Sequence, residues 1–240
     1  MSFPQFAFCH STELCHSEEL MTTYNDMIAA VAEAKNKVED ATAKAAAEGE
    51  HAKFLGSNSA LVSCCGQRAV FNGGFVQDKT LRKMSDQQWQ AVMGVHLEAA
   101  FKLSRTAWPH FETVGGGRLV FISSSAGLYG NFGQANYAAA KLGLYGLART
   151  IELEGAAVNI GANVVAPFGA TELNSANMDE DRKAVLRPEY VAPIVAYLAH
   201  RECPESGGLF EASAGSFKKV RWQQSAGLIL DTSQPVGIDD

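Results

Sequence analysis

Gly117-Arg-Leu-Val-Phe-Ile-Ser-Ser-Ser125 and Asn136-Tyr-Ala-Ala-Ala-Lys-Leu-Gly-Leu144 are the two segments whose reading decides the fold of this chain. The first is an apolar run ending in small hydroxyl residues. It reads as a buried parallel strand whose carboxyl end opens into a site. The second is rich in alanine and leucine and predicts a helix, which places Tyr137 and Lys141, at i and i+4, on one face. An ammonium beside a phenol favours the phenolate. A tyrosine brought down from about 10 toward neutrality can exchange a proton with a substrate hydroxyl or carbonyl. Ser124 lies thirteen positions before the tyrosine, where its hydroxyl would bond the same substrate oxygen. Tyr-x-x-x-Lys also arises by chance in helices, and Ser123 to Ser125 could simply form a turn. The serine at the end of an apolar run favours the chemical reading.

On these residues the chain resembles the short-chain dehydrogenase/reductase superfamily. Within it, the stretch Ser124 to Glu154 resembles the (3R)-hydroxyacyl-CoA dehydrogenase domains of peroxisomal multifunctional enzymes. The likeness continues through Arg187-Pro-Glu-Tyr-Val-Ala-Pro-Ile-Val195, Gly207-Gly-Leu-Phe-Glu-Ala-Ser-Ala-Gly215 and Val220-Arg-Trp222, so the match spans residues 72–225. The resemblance implies a Rossmann-like, doubly wound parallel α/β sheet, with Ser124, Tyr137 and Lys141 as catalytic residues and a nicotinamide dinucleotide, NAD or NADP, as cofactor. The superfamily's fourth catalytic position falls on His96, where an asparagine is usual. The other reading of His96 is a helix residue bonded to a backbone carbonyl. Asn72, Gly73 and Gly74 match most of the segment that supports the sheet beside the adenine, with Phe71 where the family has a further asparagine. Ala166-Pro-Phe-Gly-Ala-Thr171 resembles the segment lining the nicotinamide, one residue shorter, with Thr171 as a carboxamide contact.

The first seventy residues depart from that pattern. Asp26 stands near where an acidic residue would bind the adenosine ribose, and a helix is expected over residues 27–48. The residues before Asn25 leave little room for a strand, a phosphate loop and a helix. They contain no glycine, the first in the chain being Gly49. Pyrophosphate binding needs backbone amides that side chains do not obstruct, usually at a helix N-terminus. The expectation is therefore that the first strand and glycine loop are missing or rebuilt, residues 1–24 being an atypical segment of one domain spanning residues 1–240. Dinucleotide is then expected to bind weakly or not at all.

Composition agrees with a single α/β domain: 240 residues, 47% hydrophobic and 19% charged, suffice for a large core. A net charge of −6 and the lack of an evident basic cluster argue against nucleic acid, and no apolar run approaches a membrane span. Cys9, Cys15, Cys64, Cys65 and Cys203 make no even disulfide framework, which suggests a reducing intracellular compartment, either cytosol or an organelle interior such as a mitochondrion or peroxisome. Cys9-His10 and Cys15-His16 lack the spacing of a common zinc site, so no metal is expected.

Ser85-Asp-Gln-Gln88 reads as a capping box opening a helix that runs to about Trp108, with Pro109 near its end. That helix and the one carrying Tyr137 resemble the superfamily's dimer-forming pair. Further parallel strands are expected at Ala162 and Gly208, with a helix over Pro188–Arg201. Two functional classes follow. One is a degenerate family member that serves as a structural subunit of a homo-oligomer or hetero-complex, docking through Phe3, Phe6 and Phe8 unless these fold back as a replacement strand. The alternative is an active NAD(P)-dependent oxidoreductase acting on a 3-hydroxyacyl-CoA or similar secondary alcohol. The missing phosphate loop weighs toward the first, because hydride transfer depends on remote binding to position the cofactor.

Overall fold

A computed structural model describes residues 67–169, 178–229 and 233. Asp26, Thr171, the N-terminal phenylalanines and four of the cysteines lie outside the described residues, as does the segment expected to hold the first strand.

The described chain forms a five-stranded sheet in the order β1-β2-β3-β4-β5: β1 (Arg68–Phe71), β2 (Gly117–Ile122), β3 (Ile160–Pro167), β4 (Leu209–Ser213) and β5 (Ser216–Val220). The first four are parallel, with Val70 opposite Val120, Val120 opposite Asn163 and Val165 opposite Phe210. The strand β5 is antiparallel to β4, an addition the sequence did not suggest. Side chains alternate across each strand, so β2 sends Leu119 and Phe121 to one face and Val120 and Ile122 to the other. The first pair packs with Leu144, Ala148 and Ile151, and the second with Ile194, Val195 and Leu198. Helices on both faces explain why the strands read as unbroken apolar runs rather than as alternating ones.

The chain enters α1 (Asp86–Met93) through the expected capping box: the Ser85 side chain accepts from the Gln88 backbone, and the Gln88 side chain accepts from the Ser85 backbone. A π-turn over Gly94–Glu98 leads into α2 (Ala99–Thr113). This helix runs past the end expected at about Trp108, with Pro109 inside it. Proline removes one N–H and normally breaks a helix interior, but here the last turn is held by Phe111, fully buried under the sheet, and by the Thr113 hydroxyl, which donates to the Pro109 carbonyl at 2.9 Å.

The helix α3 (Ser125–Tyr129) follows β2, and α4 (Ala135–Gly155) carries Tyr137 and Lys141. The short α5 (Glu180–Val185) precedes the segment expected to be one helix over Pro188–Arg201. It divides into a 3-10 turn at Pro188–Tyr190 and α6 (Ala192–Ala199). Proline is accepted at helix starts, where its missing N–H has no partner to lose. The apolar face of α6 covers the side of the sheet opposite α4.

Candidate active site

The site grows from the carboxyl end of β2. Ser123 continues the sheet, its N–H donating to the Val165 carbonyl at 2.6 Å, while its hydroxyl donates to the Lys141 carbonyl at 2.7 Å. That bond fixes α4 against the strand. Ser124, the next residue, is the N-cap of α3: its Oγ accepts from the Ala126 N–H at 3.2 Å and lies near enough to the Tyr137 phenol to act on its proton.

Helical spacing brings Lys141 under Tyr137, as expected: the ammonium lies 5.5 Å from the phenol ring centroid. The ammonium donates to the Ile122 carbonyl at 2.7 Å and is only 4% exposed. Ser124, Tyr137 and Lys141 therefore converge at one strand end.

Their electrostatics differ from the sequence expectation. The tyrosine is not brought down toward neutrality. Burial raises its pKa above the ordinary value, Ser124 pulls it back, and the Asp78 carboxylate adds to the rise. Lysine takes the larger shift: desolvation lowers it to about 7. Taking a charge out of water costs more than one carbonyl bond returns, and the lysine yields its proton instead. Near neutral pH the site holds a protonated phenol and a lysine close to half charged.

His96 sits in the π-turn, a geometry common at functional positions. Its Nε2 donates to the Phe75 carbonyl at 2.7 Å, the arrangement weighed in the sequence as an alternative to direct chemistry. Its ring meets Tyr137 edge to face, with centroids 5.0 Å apart and planes at 89°. Desolvation and the nearby Lys141 charge bring His96 down to about 3, so the ring is neutral and Nδ1 is a bare acceptor. That atom is buried with no hydrogen-bond partner among the described residues. Asn72 and Gly74 are exposed at the end of β1, and Gly73 is half-buried.

Gly74 is required by His96: a β-carbon there would lie 1.9 Å from the imidazole Cε1. Gly74→Ala is expected to expel the ring from its place beside Tyr137 and to cost about 1–3 kcal/mol, the usual range for overpacking. Urea unfolding at neutral pH measures this, and an unchanged midpoint would refute the packing argument.

Two anchors escaped the sequence reading. Asn136 is fully buried; its amide donates to the Gln88 carbonyl at 3.1 Å and the Gln77 carbonyl at 3.3 Å, and its Oδ1 accepts from the Tyr137 N–H at 2.8 Å. It ties two other segments, at Gln77 and Gln88, to the start of α4. Its signal was a polar residue in the first turn of an otherwise apolar helix. Ser123, the second, was treated only as part of a serine run.

The described part of the site fits the nicotinamide end of a dinucleotide. Hydroxyl, ammonium and amide donors from Ser124, Lys141 and Asn72 stand at the carboxyl ends of parallel strands, where open α/β sheets bind ligands. Asp26 and Thr171, the other candidate contacts, are outside the described residues. These same residues contain no group of three or more His, Cys, Asp or Glu side chains placed to hold a metal.

A family model described as short chain dehydrogenase matches residues 15–183. The chain belongs to the short-chain dehydrogenase family. Among curated relatives, peroxisomal multifunctional enzyme type 2 of Mus musculus is 44% identical over 161 residues, 67% of this chain and 22% of that enzyme. Acetoacetyl-CoA reductase of Allochromatium vinosum is 34% identical over 155 residues, covering 57% of this chain and 63% of the reductase. Among solved structures, full-length peroxisomal multifunctional enzyme type 2 from Drosophila melanogaster superposes with a TM-score of 0.65 at 39% identity, over 71% of this chain and 31% of that one. The chain thus spans about a fifth of the length of the mouse enzyme. As a short-chain dehydrogenase it belongs to an oxidoreductase family that normally binds NAD(P), and its fold is the Rossmann-like sheet expected. No helix among the described residues is long and apolar enough to cross a membrane.

Proposed function

We propose that the chain is a nicotinamide-dependent oxidoreductase that interconverts 3-oxoacyl and 3-hydroxyacyl thioesters. The observation that carries this reading is Tyr137, within reach of Ser124, placed beside the buried Lys141 ammonium, 5.5 Å from its ring centroid. A scaffold has no use for a lysine whose burial costs stability. The name of the bacterial relative supports the thioester substrate, and that of the mouse relative supports a peroxisomal setting.

The dinucleotide, when bound, supplies or accepts the hydride. This chain's residues handle the proton and the oxygen. In reduction, the Ser124 and Tyr137 hydroxyls hold the carbonyl oxygen, and Tyr137 gives it a proton as hydride reaches the carbon. The phenolate left behind takes a proton back from solvent. Lys141, while charged, stabilises that phenolate through the short gap to the ring. A phenol held protonated by burial favours reduction over oxidation near neutrality, since the acid is already in the required state. The expected reduction rate falls as pH rises through about 7, where Lys141 loses its charge. Titrating turnover of acetoacetyl-CoA with NADH and NADPH tests both points. Absence of turnover with either cofactor at substrate saturation would defeat the reading.

A second reading has its own support. Residues 1–48 contain no glycine, and a dinucleotide deprived of close backbone contact at its phosphates binds poorly. On that reading the chain is a non-catalytic structural subunit of a larger complex. Calorimetry with NAD(H) and NADP(H) separates the two, micromolar binding being incompatible with a degenerate site.

A further inference from the structure

Beside the catalytic cleft, two exposed features are fastened together. One is the loop Lys79-Thr-Leu-Arg-Lys83, with three cations in five residues. Its Leu81 is 74% exposed at the start of the 3-10 turn Leu81–Lys83. The sequence reading missed it as a basic patch, because Asp78 and Asp86 bracket it. The other is Phe132, 88% exposed on the link between α3 and α4.

Gly130 and Gly133 flank that phenylalanine with φ of 76° and 80°, values that favour glycine, so backbone shape holds the ring outward. The Lys79 N–H donates to the Gly133 carbonyl at 2.8 Å, and the Gln134 amide donates to both Asp78 oxygens at 3.0 and 3.1 Å. The bonds to Gln134 occupy the Asp78 carboxylate. Lys79, Arg82 and Lys83 are all exposed, and none has an ion-pair partner among the described residues.

Gln134 lies three residues before Tyr137, about 5 Å along the helix axis. The Asp78 carboxylate is near enough to Tyr137 to act on its charge. The rim beside the phenol therefore presents exposed apolar side chains together with cations that have no ion-pair partner among the described residues.

We infer that Phe132, Leu81, Lys79, Arg82 and Lys83 form the subsite for the phosphorylated handle of a coenzyme A thioester, the apolar side chains lying along the pantetheine arm and the cations on the nucleotide phosphates. This rests on the thioester reading above. Charge complementarity selects the occupant: a chain of net charge −6 otherwise repels a polyanion, and here three cations meet it at the mouth of the cleft. Arginine and lysine bond phosphate oxygens through charge-assisted hydrogen bonds.

The test compares acetoacetyl-CoA with acetoacetyl-pantetheine, which has the same acyl arm and no nucleotide phosphates. Binding to the full chain is measured by calorimetry at low and high salt. The expected result is coenzyme A binding tighter by about tenfold or more, as for one or two charge-assisted hydrogen bonds. That gap should close in R82E/K83E and at high salt. Both positions are exposed, and a matching melting temperature and circular dichroism spectrum verify the fold of the variant. Equal affinities, no binding of acetoacetyl-CoA, or a gap that survives charge reversal would each overturn the subsite. Charge-dependent binding of an acyl carrier protein in place of coenzyme A would also overturn the assignment. A wild-type protein that shows the gap yet reduces neither thioester would instead defeat the oxidoreductase reading and leave the subsite standing.

Discussion

Tyr137→Phe is expected to reduce thioester turnover by about 10²–10⁴-fold, the usual worth of a positioned general acid, while leaving the fold intact. The substitution deletes the hydroxyl that lies near Ser124 and that would protonate the carbonyl. The rest of the tyrosine's surroundings survive. The ring still meets His96 edge to face, and the Lys141 ammonium still lies over it. The backbone N–H still donates to the Asn136 Oδ1. Melting temperature and thioester affinity should therefore change little while kcat collapses. Turnover within a few-fold of wild type would show that the phenol is not the proton donor. A large drop in melting temperature would show that the hydroxyl is structural.

Lys141→Met should produce two large effects of different kinds. Activity should fall because no charge remains to stabilise the phenolate. The stability profile should also change shape, and its direction follows from linkage. In the native chain Lys141 holds its proton only below about 7, whereas in the unfolded chain it does so to 10.5. Between those values the unfolded state binds more protons, so wild-type stability rises with pH across that window. Below pH 7 both states are protonated and the full cost of burying the charge remains, of the order of 4–5 kcal/mol for a shift of this size. Methionine has a similar length and no charge, which removes the penalty and flattens the profile from 7 to 10.5. The loss of the bond to the Ile122 carbonyl returns about 1–3 kcal/mol of it.

His96 tilts the acid side of the same curve. Its native value of about 3 against 6.5 when unfolded means that stability declines as pH falls through that range. Urea unfolding across pH, comparing wild type with Lys141→Met, tests the assignment. Parallel profiles above pH 7 would sink it.

The sheet and the convergence of Ser124, Tyr137 and Lys141 were legible in the sequence because each rests on local periodicity. An apolar run ending in serines is a strand end wherever it occurs in a parallel sheet, and residues four apart share a helix face without reference to anything distant. The capping box at Ser85 is equally local. Where local rules met a tertiary counterweight, they failed. Pro109 marks a helix end by its own chemistry, but the burial of Phe111 beneath the sheet carries α2 on to Thr113. The antiparallel β5 is decided by the free edge of β4, which the residues Ser216–Val220 themselves do not reveal.

The electrostatics of the site belonged wholly to the tertiary structure. From sequence, a lysine beside a tyrosine means a lowered tyrosine, because pair charges are all that spacing conveys. In the fold, desolvation exceeds the pair interaction. Tyr137 moves up and Lys141 moves down, because the sheet, α3 and α4 exclude water from both. The place of Gly74 under His96 and the fastening of Lys79 to Gly133 join positions 22 and 54 residues apart. No periodicity reaches across such separations. The sequence by itself determined that Ser124, Tyr137 and Lys141 meet at one strand end, because strand ends and helix faces are local; only the packing decided their protonation, because desolvation is set by distant neighbours.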